Sequence, residues 1–394
     1  MKKYEENNKK KQGNKSRSAG RKTQPESSML QRFFSFEFLR KRKIFAIKIL
    51  IIAALFYSGM LFYYSITPID KKNENVVVDI PTGSSFFEVM EDLNKAGLIK
   101  HRFLFYSLAV IKGARRNIRA GEYEMNMSLT PWKMIDKLVH GDVKIYKVVI
   151  PEDLSMREIA DRLYEHKLIN KDIFFDLARD KEFLQSLNIS ADSIEGYLFP
   201  DTYYFERWMN TRRIMKTMVD TFWKKVTPEM IGRARDLKLD LNELITFASI
   251  IGKEAGNNAE KPVISAVFHN RIKRKMPLQS DPTAVYDLDD FAGKIVRSHL
   301  RRKSPYNTYV IRGLPPGPIA NPGVASFRAA LYPANVNYLY FVSKRDGTHH
   351  FSSSLVEHNQ AVNRYIYLRG ESLQSLKDES AVQKDDVLSP EKED

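Results

Sequence analysis

Glu195 and Asp201 stand in the run Glu195-Gly196-Tyr197-Leu198-Phe199-Pro200-Asp201-Thr202-Tyr203-Tyr204-Phe205, among five aromatic rings, a Gly and a Pro. A carboxyl group beside apolar rings is poorly solvated as an anion, so its pKa rises and it can stay protonated near neutral pH. A general acid that protonates a glycosidic oxygen needs that property. Aromatic faces such as Tyr197 also suit the flat apolar sides of sugar rings. The same composition fits a core strand-turn with a surface Glu, so the residue types alone leave both readings open.

Other candidates lie further along. Glu254 ends an apolar helical pattern, and Asn270 sits on the apolar stripe of the next one, where a polar side chain needs a hydrogen-bond partner. Gln279, Ser280, Asp281 and Thr283 crowd one turn; Tyr306, Asn307, Thr308 and Tyr309 crowd another. The Gly- and Pro-rich stretch from Gly313 to Gly323 reads as a long ordered loop and carries Asn321. Rigid loops bearing amides, hydroxyls and rings suit a polyhydroxylated ligand. His349, His350 and His358 lack the spacing of a metal site, so no metal and no cofactor is expected.

These groups need positioning elements. Leu244, Phe247, Ala248 and Ile251 recur at helical spacing and predict a core helix over 242–256. A second helix is predicted from Pro262 to Lys275, basic helices over 206–242, and a strand over 338–342. Upstream lies an internal repeat with an offset of 70. Val78-Asp79-Ile80-Pro81 matches Val148-Val149-Ile150-Pro151; Ser85 and Glu88 match Ser155 and Glu158; Leu98-Ile99 matches Leu168-Ile169. Each copy predicts a short strand, a capping box, an amphipathic helix and a turn. Such β-α modules resemble LysM-type glycan binders in pattern. They would serve equally well as braces for the domain that follows.

The first 43 residues hold 14 Lys and Arg against 4 Glu, and are expected to be disordered up to Ser28. From Ile49 to Ile69 no residue is charged. As a helix that run spans about 30 Å, the hydrocarbon thickness of a bilayer. Arg40 to Lys43 precede it, Lys48 is placed to snorkel, and Tyr63 and Tyr64 lie towards its far end. The expectation is one transmembrane helix with the N-terminus in the cytoplasm, and an anchor rather than a signal peptide. The basic tail is then a membrane flank, with no nucleic-acid partner. The chain has no cysteine, which excludes disulfides and thiolate chemistry and suits an extracytoplasmic domain. The last residues, from about Leu373, are charged and expected to be disordered.

The blocks EGYLFPDTYYF, FASIIGKEAG, VFHNRIKRKMPLQSDPT, SPYNTYVIRGLPPGPIANPG and YLYFVSKRDGTHHFSSSLVEHNQAV resemble the endolytic murein transglycosylase (YceG-like) family, in order and spacing, across roughly residues 76–370. The resemblance implies a single-pass enzyme of the bacterial cell membrane with its catalytic domain outside. Such an enzyme cleaves nascent peptidoglycan within the glycan strand and ends its growth, in association with penicillin-binding synthases. It places the catalytic acid at Glu195, which would protonate the oxygen between N-acetylmuramic acid and N-acetylglucosamine, then take the proton of the muramic C6 hydroxyl and leave a 1,6-anhydro end. The implied fold is α+β: an N-terminal transmembrane helix (44–69) after a basic tail (1–43), a LysM-like module (70–145), a second β-α module (146–189), a mainly helical lytic-transglycosylase-type domain with strand and loop insertions (190–370), and a tail (371–394).

One position departs from the family pattern, which usually has Glu where this chain has Gly252. Gly costs about 1 kcal/mol against Ala inside a helix. The departure suggests a lost supporting carboxylate, with Glu254 as a partial substitute, and predicts that Gly252→Glu keeps the fold and holds or raises the rate. It also leaves open an inactive peptidoglycan-binding scaffold; the residues alone, apart from the resemblance, leave open a glycoside hydrolase that uses Glu195 with a second carboxylate such as Glu254.

Overall fold

The computed structural model describes residues 27–70, 73–289, 291 and 293–368. The basic tail through residue 26 and the charged segment after 368 lie outside the described residues. The chain is mixed α+β and mostly helical, with three two-stranded antiparallel sheets among the described residues.

Helix α1 (Ser27–Ile66) is 40 residues long, and its part from Arg40 to Ile66 is long and apolar enough to cross a bilayer. Next come β1 (Asn75–Ile80), α2 (Phe86–Lys95), α3 (Arg102–Ile111), β2 (Gly121–Asn126) and α4 (Pro131–His140). Strand β1 pairs with β2 in register Val78 to Tyr123. Ile80, Leu93, Phe105, Tyr123 and Leu138 form this module's core, and Leu61 of α1 joins it.

The second repeat opens with β3 (Ile145–Val149) and α5 (Met156–Glu165), followed by α6 (Lys171–Leu177) and α7 (Lys181–Ser186). Both copies have the expected capping box, Ser85 with Glu88 and Ser155 with Glu158. Both helices also close alike: the Leu98 N–H donates to Leu93 O and the Leu168 N–H to Leu163 O. The copies then diverge. Strand β3 pairs with β4 (Thr202–Glu206), which belongs to the aromatic run after Glu195. The second copy shares one core cluster with residues drawn from most of the chain up to Leu331.

That core is built around α10 (Leu241–Glu254), preceded by α8 (Thr211–Lys225) and α9 (Pro228–Asp236). Every residue of α10 from Leu244 to Gly252 is buried, so this helix is covered on all sides rather than on one stripe. Helix α11 (Lys261–Lys273), the short α12 (Arg297–Arg301) and α13 (Val324–Leu331) follow. Strands β5 (Tyr340–Ser343) and β6 (His349–Ser352) form the last hairpin before α14 (Leu355–Val362).

The first module is tied to the larger body by a polar junction. Glu122 of β2 accepts hydrogen bonds from Arg207 Nε at 2.7 Å and from the Tyr146 hydroxyl at 2.5 Å. Trp208 Nε1 donates to Asp79 at 2.6 Å. Arg207 also donates to the His166 carbonyl at the end of α5, so the junction grips both repeats.

Candidate active site

Glu195 is 1% exposed. Met156 N–H, the first amide of α5, donates to both its oxygens at 2.9 and 3.0 Å. The first amides of a helix have no intrahelical acceptor. The Ser155–Glu158 box satisfies others of that turn, since Glu158 N–H donates to Ser155 Oγ and Ser155 N–H to Glu158 Oε2. Met156 N–H is thereby left for Glu195, so the second repeat contributes directly to the setting of the acid.

Two side chains complete the ring. Asn321 Nδ2 donates to Glu195 Oε1 at 2.7 Å, and the Tyr286 hydroxyl donates to Oε2 at 2.9 Å. The Asn321 amide cannot turn over, because its Oδ1 accepts the Leu198 N–H at 2.9 Å. A short backbone bridge, Leu154 against Asn321, clamps the two loops together behind the acid. Arg157 reaches across to the Leu288 carbonyl at 2.6 Å and to Asp289, tying the segment after Tyr286 to α5.

Burial dominates the electrostatics and lifts the Glu195 pKa to about 7, against the opposing pull of Met156 N–H, the Tyr286 hydroxyl and Lys253. Burial, then the neighbouring Glu195 charge, also raises the Tyr286 phenol, which stays protonated. Asn321 is a fixed donor at Oε1, whereas Met156 N–H is shared between the two oxygens. The proton of the neutral acid therefore belongs on Oε2, where the Tyr286 hydroxyl can rotate from donor to acceptor.

Tyr286 lines a cavity of about 910 Å³ together with Ser155, Phe175, Lys253 and Ile319. Its ring lies 4.8 Å from that of Tyr306, which lines a second cavity of about 570 Å³ with Tyr197, Asn242 and Pro318. Tyr197 itself is buried against Phe222, ring centroids 4.8 Å apart. The acid thus lies one side chain behind the first cavity, and the Tyr286–Tyr306 pair stands between the first cavity and the second.

The other sequence candidates fall into separate places. Glu254 is the centre of a second buried cluster. Ser280 Oγ donates to it at 2.5 Å, and burial raises its pKa to about 7. Around it Ser280 N–H donates to Thr308 Oγ1, Thr283 bonds Thr308 at 2.8 Å, and the Tyr309 hydroxyl donates to Asp281. Gln279 accepts from Arg271 at 3.3 Å and adopts φ +51°. Asn270 donates to the Val336 and Tyr338 carbonyls, and Asn307 to those of His299, Leu300 and Arg302. Asp201 is exposed and accepts the Thr202 N–H. His349 pairs with Glu260 at 2.8 Å.

Tyr286 and Met156 N–H were not among the sequence candidates. Tyr286 has no motif of its own, and an amide has no residue type. The one available signal was the capping box at Ser155, which marks a helix start where unsatisfied N–H groups gather.

Gly252 carries a correction. A Cβ built there would lie 1.8 Å from Asp153 Oδ1 and 2.4 Å from its Cγ. Gly323 likewise faces Glu152, whose Oε1 would lie 1.9 Å from a Cβ. The buried Lys261 amine holds both carboxylates, at 3.1 Å from Glu152 and 3.4 Å from Asp153. The space beside α10 that a larger residue at 252 would take is thus filled by a carboxylate from the loop leading into α5. Any side chain at 252 would require the Asp153 carboxylate to shift, so the glycine makes room for that carboxylate and is more than the loss of a supporting one.

A buried carboxyl group with a pKa near neutrality, held by an amide, a phenol and a helix N-terminus beside a pair of tyrosines, has the properties that general acid-base chemistry on a glycan would need. The comparisons with known proteins agree with that chemistry. The YceG-like family model matches residues 78–364, and the chain belongs to that family. An endolytic murein transglycosylase of Bacillus subtilis is 32% identical over 336 residues, covering 79% of this chain and 92% of that protein. One of Streptococcus pneumoniae is 27% identical over 82% of this chain and 65% of its own length. A crystal structure of a putative yceG-like protein from Listeria monocytogenes aligns with a TM-score of 0.52 at 32% identity, over 73% of this chain and 99% of that one.

Proposed function

We propose that this protein is a membrane-anchored lytic transglycosylase that cuts nascent peptidoglycan strands internally, between N-acetylmuramic acid and N-acetylglucosamine, and so ends their elongation beside penicillin-binding synthases. The observation that carries the reading is Glu195, buried with a pKa of about 7 among Met156 N–H, Tyr286 and Asn321. In the neutral form, Oε2 gives its proton to the glycosidic oxygen as the C1–O bond breaks. The resulting carboxylate takes the proton of the muramic C6 hydroxyl as that oxygen bonds to C1, which closes the 1,6-anhydro ring. Atoms and charges balance without added water, and Glu195 ends protonated as it began. Asn321 and Met156 N–H hold the carboxylate steady in the interval when it is charged. The proposed anchor is the apolar part of α1, with the catalytic body outside the cell membrane.

The two cavities flanking the Tyr286–Tyr306 pair suit a strand that continues past the acid in both directions, hence internal cutting. The test is mass spectrometry of glycan strands digested by the full chain in detergent. Anhydro-muropeptides are expected from wild type. Glu195→Gln should lower their release at least about 10²-fold, the lower end of a general acid-base contribution. Reducing ends in place of anhydro ends would mean hydrolysis, and equal release by the two proteins would remove Glu195 from its role.

A further inference from the structure

The far end of α1 is not free of the protein it anchors. The Tyr57 hydroxyl donates to Ser107 Oγ of α3 at 2.6 Å, and the Tyr57 and Phe103 rings lie 5.9 Å apart. Tyr64 meets His101 edge-on at 6.0 Å, while Leu61 and Ser65 are buried. Positions 57, 61, 64 and 65 form one helical face, and α3 lies along it. Since Leu61 belongs to the module's core, the part of α1 before it, through about Met60, is what remains to cross the bilayer, with α3 against one side from Tyr57 onward. From Ile44 to Met60 the helix covers roughly 26 Å, still close to the thickness of a bilayer's apolar core. Tyr57 then lies just inside the outer boundary, and whatever packs on it shares its depth.

What packs on it is apolar and uncovered. Phe103 is 70% exposed, and Val110 and Ile111 continue its side of α3. Phe87 of α2, 61% exposed, stacks on Tyr106 at 5.7 Å and extends the stripe. A stripe of large exposed apolar side chains is uncommon on a water-facing surface and marks a contact. Basic residues edge it: Arg102, next to Phe103 in the chain and paired with Glu91 at 2.7 Å, and Arg115, whose guanidinium lies 5.0 Å from the Tyr106 ring. Aromatic and aliphatic groups flanked by arginine match the boundary between acyl chains and anionic headgroups.

We propose that the first module is seated in the outer leaflet of the bilayer, with Phe87, Phe103, Val110 and Ile111 in the acyl region and Arg102 and Arg115 among the headgroups. The proposal rests on the reading of α1 as a membrane anchor. It gives the module a mechanical task. Its junction with the catalytic body, through Glu122, Arg207 and Trp208, would hold Glu195 at a set height above the membrane.

The chain has no cysteine, so single-cysteine labelling is clean. Full-length Phe56→Cys, Phe103→Cys and Val356→Cys, each at an exposed position, would carry a nitroxide in vesicles of phosphatidylethanolamine and phosphatidylglycerol. Collision with oxygen and with a water-soluble nickel chelate reports depth. Labels at 56 and 103 should both favour oxygen, and the label at 356 the nickel chelate. A lipid-exposed 56 with a water-exposed 103 overturns the seating and leaves the anchor intact. Water exposure at 56 overturns the anchor, and the seating with it. A label at 103 shielded from both reagents means that another protein surface covers the stripe, and also overturns the proposal.

Discussion

At the scale of single residues, Glu195 is held between opposing influences. Burial raises its pKa, and every hydrogen bond it accepts lowers it. The balance near 7 lets one group serve as acid and then as base. The sign of its pH dependence follows. In the proposed reaction the neutral form begins the cycle, so the rate should fall as pH rises through about 7. Tyr286→Phe deletes a bond that favours the anion, so the Glu195 pKa should rise and the descending limb should move to higher pH. The rate at the optimum should also drop, by roughly tenfold, for loss of one hydrogen bond worth about 1–2 kcal/mol. A pH–rate profile of the variant checks both. An unshifted limb would mean that Tyr286 packs beside the acid without tuning it.

At the scale of elements, α5 and α10 meet at the site and the loop between β3 and α5 fills the gap. Asp153 takes the volume beside Gly252, although its backbone is held at φ +67°, a left-handed conformation that favours Gly. Gly252→Ala should therefore destabilise the protein. Overpacking costs about 1–3 kcal/mol, more than the roughly 1 kcal/mol that Ala contributes in helix propensity. Gly252→Glu should be worse and should lower the rate, because pushing Asp153 aside moves the segment whose Met156 N–H and Leu154 carbonyl hold Glu195 and Asn321. Asp153→Gly should relieve the clash. Urea unfolding of the two single variants and the double is expected to give a coupling of at least about 1 kcal/mol. Strict additivity would show that the glycine is not there to admit Asp153.

At the scale of the whole molecule, a long apolar helix with a basic flank, Arg40 to Lys43, precedes a body whose first module shares its core with that helix. The proposed topology puts the basic N-terminal side in the cytoplasm, as the positive-inside bias would have it. Protease added to intact spheroplasts is expected to digest the body after residue 70 and to spare the N-terminal tail. Protection of the body would place the catalytic domain away from its proposed substrate and sink the functional reading. Digestion should leave a protected fragment longer than the apolar helix alone if α3 is shielded by lipid headgroups.

Local pattern settled a large part of this protein. Capping boxes at Ser85 and Ser155, the apolar spacing of α10 and the uncharged run after Lys48 each act through neighbours in the chain, so each was legible before any fold was known. The aromatic run likewise singled out Glu195, because the groups that would desolvate it stand beside it in sequence. Tertiary structure decided what lies far apart. Asn321 and Tyr286 come to Glu195 from 126 and 91 residues away, and Met156 N–H from 39. Neither an amide donor nor an isolated tyrosine leaves a mark in composition or periodicity. Gly252 read as a loss along the helix, because only packing reveals that a residue 99 positions earlier occupies its space. Strand β3 met β4 rather than a partner of its own, so the second repeat was absorbed into the larger core while the first remained a module. A repeat fixes local geometry, whereas its packing partners depend on which apolar surfaces the rest of the chain leaves uncovered.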